Sequence, residues 1–165
     1  IENVINFLNS KKKKKNITLT DGIFLYIDYP DGVFYQNINE EFEYKVEVGK
    51  KMRIEEFGFE FTSNIIKESY TENKWKEVVD FDRLKGSLIL RNWKAGDKFV
   101  PLGMKKEKKL SDFFIDEKVP FFERKRIPLL VSNNEIVWVC GYRISENIKV
   151  TEKTKIKLGL NFKLF

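Results

Sequence analysis

Apolar and polar residues alternate over much of this chain, and helical spacing is confined to short stretches. At the start, Ile1, Val4, Ile5 and Leu8 recur at the intervals of one helix face, which predicts the end of a helix. The run ITLTDGIFLYIDYPDGVFYQ then predicts a β-hairpin region, with Asp21-Gly22 and Asp31-Gly32 as turn signals between β-prone segments. FEYKVEVGKKMRIEEFGFEFTS continues with a period of two: Phe57, Phe59 and Phe61 share a face, and Gly58 and Glu60 lie opposite. The polar, weakly patterned stretch 64–76 reads as a boundary. Beyond it, VVDF and SLILR predict strands around a tight turn near residues 82–86. KAGDKFVPLGMKKEKK predicts a loop, because Gly96, Pro101 and Gly103 interrupt regular structure. LSDFFIDEKV predicts a short helix with Leu110, Phe113 and Phe114 on one face. It ends at Val119-Pro120, since a residue before proline avoids the α region. PFFERKR predicts another, with Pro120 at its first position, and Pro128 stops it. LLV, IVWVCGY and KIKLGLNF predict strands, with SNNE turning between the first two.

Together these elements predict an α+β, β-rich fold: a sandwich or barrel-like β domain with short helices, preceded by a helix end and a β-hairpin region. The division falls between residues 1–76, a connecting region, and residues 77–165, a β-rich C-terminal domain. At 165 residues and 42% hydrophobic content, the chain can build a core without disulfides. The single Cys140 excludes an internal disulfide and a cysteine-based zinc site. The absence of histidine removes the usual imidazole base and metal ligand. No apolar stretch reaches transmembrane length and nothing resembles a signal peptide, so a cytoplasmic protein with no membrane partner is expected. A chain that opens on Ile1 reads as a portion of something longer.

Charge sharpens the division. Residues 1–80 hold 12 Lys+Arg against 15 Asp+Glu, whereas residues 81–165 hold 19 against 10. A lysine-rich composition does not by itself sort charge along a chain, and a polyanionic partner would. Five of the six arginines (Arg83, Arg91, Arg124, Arg126, Arg143) also lie in the basic half, where a planar fork suits phosphate or carboxylate. The densest segment runs from Arg91 to Lys109. There Arg91, Lys94, Lys98, Lys105, Lys106, Lys108 and Lys109 face only two acids, Asp97 and Glu107. Gly96 and Gly103 would let the backbone approach a phosphate, and the helix from Leu110 would aim its first N–H groups the same way. A charged loop held in solvent is the other reading of this segment, and Lys11–Lys15 read as a solvated linker between helix and sheet in preference to a binding site. Arg124 and Arg126, with Arg143, extend the basic stripe. Trp93 is placed either to stack on a base or to be buried. Trp138 and Cys140, inside a strand, read as core. Asp112 and Asp116 share a helix face, a geometry that a divalent cation could use, but compensation of the helix dipole by Asp112 and a local ion pair for Asp116 or Glu117 explain them better. No phosphate-binding glycine loop and no nucleophile–histidine arrangement is present.

The order and spacing of Gly96-Asp97, Pro101-Leu102-Gly103, Lys109-Leu110-Ser111-Asp112-Phe113-Phe114-Ile115-Asp116 and Gly141-x-Arg143-Ile144-Ser145 resemble the C-terminal domain of the bacterial tRNA(Ile)-lysidine synthetase family over residues 84–160. Residues 1–76 resemble the region that follows the family's helical middle part. The resemblance implies an ATP-dependent ligase that attaches lysine to the wobble cytidine of isoleucine tRNA, with ATP, Mg and lysine used by an N-terminal catalytic domain. This segment lacks that domain's Ser-Gly-Gly-x-Asp-Ser loop. It is therefore expected to be non-catalytic, to hold no cofactor and no metal, and to bind the tRNA acceptor stem. The implied RNA contacts are Arg91, Lys94, Lys98, Lys105, Lys106, Lys108, Lys109, Arg124, Arg126 and Arg143. Where the family usually shows Arg-Pro-Gly-Asp-Arg, this chain has Lys94-Ala95-Gly96-Asp97-Lys98, which keeps the charge and loses the arginine forks. Two other readings stay open: a structural or dimerisation domain with an incidental basic patch, and a freestanding metal-dependent nucleotide enzyme.

Overall fold

The computed structural model describes residues 14–20, 23–28, 31–36, 41–68 and 73–165. The helix end expected at residues 1–8 and the Asp21-Gly22 turn lie outside the described residues, as does the lysine run up to Lys13. The chain divides into two compact units, Ile1–Asn39 and Glu40–Phe165.

In the first unit, β1 (Lys14–Thr20), β2 (Ile23–Asp28) and β3 (Asp31–Gln36) form an antiparallel sheet in chain order. Alternation puts Phe24 opposite Tyr35, whose rings stack at 5.2 Å, and the Tyr35 hydroxyl donates to Asn16 Oδ1 at 3.0 Å. Asp31-Gly32 is not the turn expected there. It pairs with Asp28 and Ile27 inside the ladder.

The second unit contains two larger sheets. The first is built from β4 (Glu43–Val46), β8 (Leu88–Arg91), β11 (Leu129–Ser132), β12 (Glu135–Val139) and β13 (Arg143–Ile144), in the order β13-β12-β11-β8-β4. The other is built from β5 (Lys51–Ile54), β6 (Phe59–Ile66), β7 (Lys76–Asp80) and β14 (Lys157–Leu164), in the order β5-β6-β14-β7. All their pairings are antiparallel and neither sheet closes, so the fold is a sandwich and not a barrel. The boundary expected near residue 76 falls inside this unit. β4 pairs with β8, and β14 lies between β6 and β7, so segments on both sides of residue 76 share sheets. VVDF and SLILR are strands, but not partners. β7 and β8 belong to different sheets, and a 3-10 turn at Phe81–Arg83 carries the chain between them. Asp80 fixes that corner: it accepts the Asp82 N–H at 3.0 Å and the Thr154 hydroxyl at 2.7 Å.

One core lies between the sheets. Phe59, Phe61, Leu158 and Leu160 from one face meet Leu88, Leu90, Leu130 and Trp138 from the other. A second core lies on the outer face of the five-stranded sheet, under α1 (Leu110–Asp116), which a second short helix, α2 (Phe121–Arg124), follows. It gathers Leu129, Val131 and Ile136 against Leu110, Phe113 and Phe114. β11 is therefore covered on both sides and is buried at all four positions, which explains its unbroken apolar run. The SNNE turn is real: Asn133 and Asn134 take φ of 48° and 64°, as a two-residue hairpin with right-handed strand twist requires.

Candidate nucleic-acid interface

The lysine-rich segment is a short ribbon on a fixed base. β9 (Lys98–Phe99) pairs with β10 (Lys108–Lys109), with Lys98 opposite Lys109 and Phe99 opposite Lys108. Phe99 anchors the ribbon from beneath, packing edge-on against Phe113 at 5.1 Å. Two turns shape the connection. Asp97 N–H donates to the Lys94 carbonyl at 3.1 Å, and Met104 N–H to the Pro101 carbonyl at 2.9 Å. In each, the third residue is a glycine with positive φ: Gly96 at 92° and Gly103 at 87°.

Asp97 ties the whole segment down. Its carboxylate receives both arms of the Arg91 guanidinium at 2.8 Å and the Lys94 N–H at 2.7 Å. Its carbonyl receives the Leu110 N–H at 2.9 Å. Partial burial would raise the Asp97 carboxyl, but the Arg91 fork, the Lys94 amide and both cationic charges hold it below its ordinary value. Two sequence-based expectations change here. Arg91 is only 6% exposed and holds Asp97 and the Asn92 carbonyl, so it builds the loop instead of presenting a fork to RNA. The first N–H of α1 meets the Asp97 carbonyl, and no anion is needed to satisfy it.

The remaining cations reach the surface in two groups. Lys105, Lys106 and Lys109 are exposed, with no carboxylate among the described residues in ion-pair distance. Lys94, Lys98 and Lys108 meet Glu43 at 3.6 Å, Glu107 at 2.7 Å and Asp116, respectively. Ion pairs this exposed contribute about 0–1 kcal/mol, too little to hold a lysine from a phosphate. The second group lies toward the far end of α1. Arg143 meets Glu117 at 3.5 Å, Arg124 donates to the Val119 carbonyl at 3.1 Å, and Arg126 is exposed just beyond α2. A cleft of about 390 Å³ borders the ribbon and adds Arg83 and Lys85 to its lining.

Residues 88–159 match the profile of the TilS substrate C-terminal domain. The chain is 35% identical to the tRNA(Ile)-lysidine synthase of Clostridium tetani over 94% of its own length and 35% of that relative's. It is 43% identical to that of Clostridium perfringens over 58% of its own length and 20% of that relative's. A crystal structure of a TilS C-terminal domain superposes with a TM-score of 0.68 at 22% identity, covering 76% of this chain and 98% of that one, which establishes the shared fold. The lysine ribbon, α1 and Arg143 all lie within the matched residues. Over residues 88–159 the chain is similar to the TilS substrate C-terminal domain family. The chain spans about a third of the length of the curated relative from C. tetani.

Other candidate groups within the matched residues have structural roles. Trp93 is half-buried and packs edge-on against Phe114 at 6.1 Å beside the second core. Trp138 is fully buried, and Cys140 is buried with its thiol pushed far up by desolvation. Asp116 meets Lys108, Asp112 is exposed, and no cluster of three metal-ligating side chains occurs among the described residues. No helix among them is long and apolar enough to cross a membrane. Sequence reasoning missed Glu146. Its carboxylate accepts the Gly103 N–H at 2.8 Å and pairs with Lys149, and these contacts lower its pKa, Lys149 contributing most. The Leu102 N–H also donates to the Ile144 carbonyl at 2.9 Å, so the segment Ile144–Glu146, far downstream, pins the Pro101–Met104 turn. No local pattern signals such a tie.

Proposed function

We propose that this chain is the tRNA-holding C-terminal portion of a tRNA(Ile)-lysidine synthase. The parent ligase uses ATP with Mg to join lysine to the wobble cytidine of isoleucine tRNA in the cytoplasm. An N-terminal catalytic domain performs that chemistry. This portion holds no cofactor, does no chemistry and grips the acceptor stem. The observation that carries this reading is the anchored ribbon, whose Lys105, Lys106 and Lys109 face solvent without a paired acid, inside the residues that match the family. An RNA stem is read through phosphates, 2′-hydroxyls and shape, which suits compact ammonium groups on a rigid mount.

The test is titration of isoleucine tRNA at several salt concentrations. Four to five phosphate contacts give a slope of log K against log salt of about −4 by the duplex-DNA rule, and less on RNA. An affinity that ignores salt would remove the reading.

A further inference from the structure

A second concavity, of about 660 Å³, opens beyond the C-terminal end of α1. Its lining includes Trp75, Tyr142 and Phe162, together with Lys74 and two carboxylates, Glu117 and Glu123. Glu117 caps α1, and Tyr142 packs against Phe113 and Phe114 at 6.4 and 6.5 Å. Seven helical residues span about 10 Å, so this groove and the lysine ribbon sit at the two ends of one short helix.

The groove is built rather than incidental. Trp75 is fixed along its backbone: its N–H donates to Asn73 Oδ1 and its carbonyl accepts the Phe162 N–H, both at 2.9 Å. Its ring packs on Phe162 at 5.8 Å and lies against Gly141, where a Cβ would stand 3.2 Å from Trp75 Cζ3. Gly141 also takes φ of 79°, so a side chain there would be strained in its backbone and crowded against the ring. The Lys74 ammonium sits 4.5 Å from the Trp75 ring centroid. Burial raises the Tyr142 phenol, and the charges of Glu123 and Glu117 raise it further, so both carboxylates act on the space beside that phenol. Carboxylates repel phosphate but accept from amino groups. Fixed aromatic faces, carboxylate acceptors and flanking cations together match a nucleobase with its linking phosphates.

We propose that this groove receives one unpaired nucleotide of the bound RNA, its base carrying an exocyclic amino group that donates to Glu123 or Glu117. The lysine ribbon holds the adjoining duplex. The inference rests on the RNA-binding reading above, and a blunt stem tests that reading separately. Three hairpins that share one stem distinguish the cases: one blunt, one with a short adenosine extension, one with a uridine extension. At fixed salt, the adenosine extension is expected to bind the chain roughly tenfold more tightly than the blunt stem, and the uridine extension less so. Trp75→Ala should erase the gain. Because Trp75 also packs on Phe162, Glu123→Ala provides a surface variant, expected to make the two extensions equal while the melting temperature holds. Blunt-stem binding with no gain from either extension overturns this inference alone. A gain that survives both substitutions also overturns it. Failure of every hairpin to bind removes the RNA-binding reading and this inference with it.

Discussion

The stretches Arg91–Asp97 and Lys105–Lys109 are both rich in charge and flank β9, yet they use charge in opposite ways. Arg91 is buried, and both arms of its fork meet Asp97. Lys105, Lys106 and Lys109 are exposed and meet no acid among the described residues. A buried cation must be paired, because desolvation without compensation costs several kcal/mol, while an exposed lysine keeps its hydration and stays available. The first stretch fixes where the second is displayed. Cation content alone therefore does not locate an interface, and burial separates mount from contact.

The largest effects should come from the mount. Phe114→Ala empties a fully buried site beneath the ribbon and should cost roughly 3–5 kcal/mol in urea unfolding. Arg91→Ala leaves Asp97 without its partner and should cost about 3 kcal/mol. An Arg91 variant of unchanged stability would mean that the fork is not structural, and the comparison would fail. Next comes the display. Replacing Lys105, Lys106, Lys108 and Lys109 together with alanine should leave unfolding unchanged and flatten the salt dependence of tRNA binding by about 3–4 units of slope. Unaltered affinity in that variant would place the interface elsewhere.

A smaller effect distinguishes the two stretches by pH. The folded Asp97 carboxyl lies below its ordinary value of 3.8. The unfolded chain therefore takes up the proton first as the solution is acidified. Its stabilising contribution is complete above the ordinary value and fades as pH falls through the lowered one. Asp97→Asn should show a shallower loss of stability in that acid range than the wild type, measured by melting temperature against pH. A parallel profile would break the assignment. The smallest effect belongs to the exposed pair Lys98–Glu107: Glu107→Ala should change stability by no more than about 0.5 kcal/mol and modestly tighten tRNA binding. Weaker binding would argue that the acid orients the lysine.

Much of the local architecture was legible. The run LSDFFID carries its helix in the spacing of Leu110, Phe113 and Phe114, and SNNE carries its turn in two asparagines that tolerate positive φ. Gly96 and Gly103 likewise mark the turns that shape the ribbon. What stayed hidden involves partners far apart in the chain. VVDF and SLILR read as neighbours across a turn, but each is stabilised by a different sheet. The tie of Glu146 to Gly103 joins segments whose patterns say nothing of each other. Nor could the sequence tell that Arg91, one cation among seven, would turn inward.

The sequence by itself determined most of the longer strands, the short helices of residues 110–124 and several turns, and the concentration of cations in the later half, because periodicity, glycine placement and composition act over a few residues. Tertiary structure alone decided which strands share a sheet, which cations are buried and that Trp75, Tyr142 and Phe162 line one groove. Those outcomes depend on which apolar faces cover one another, and that is a property of the folded whole.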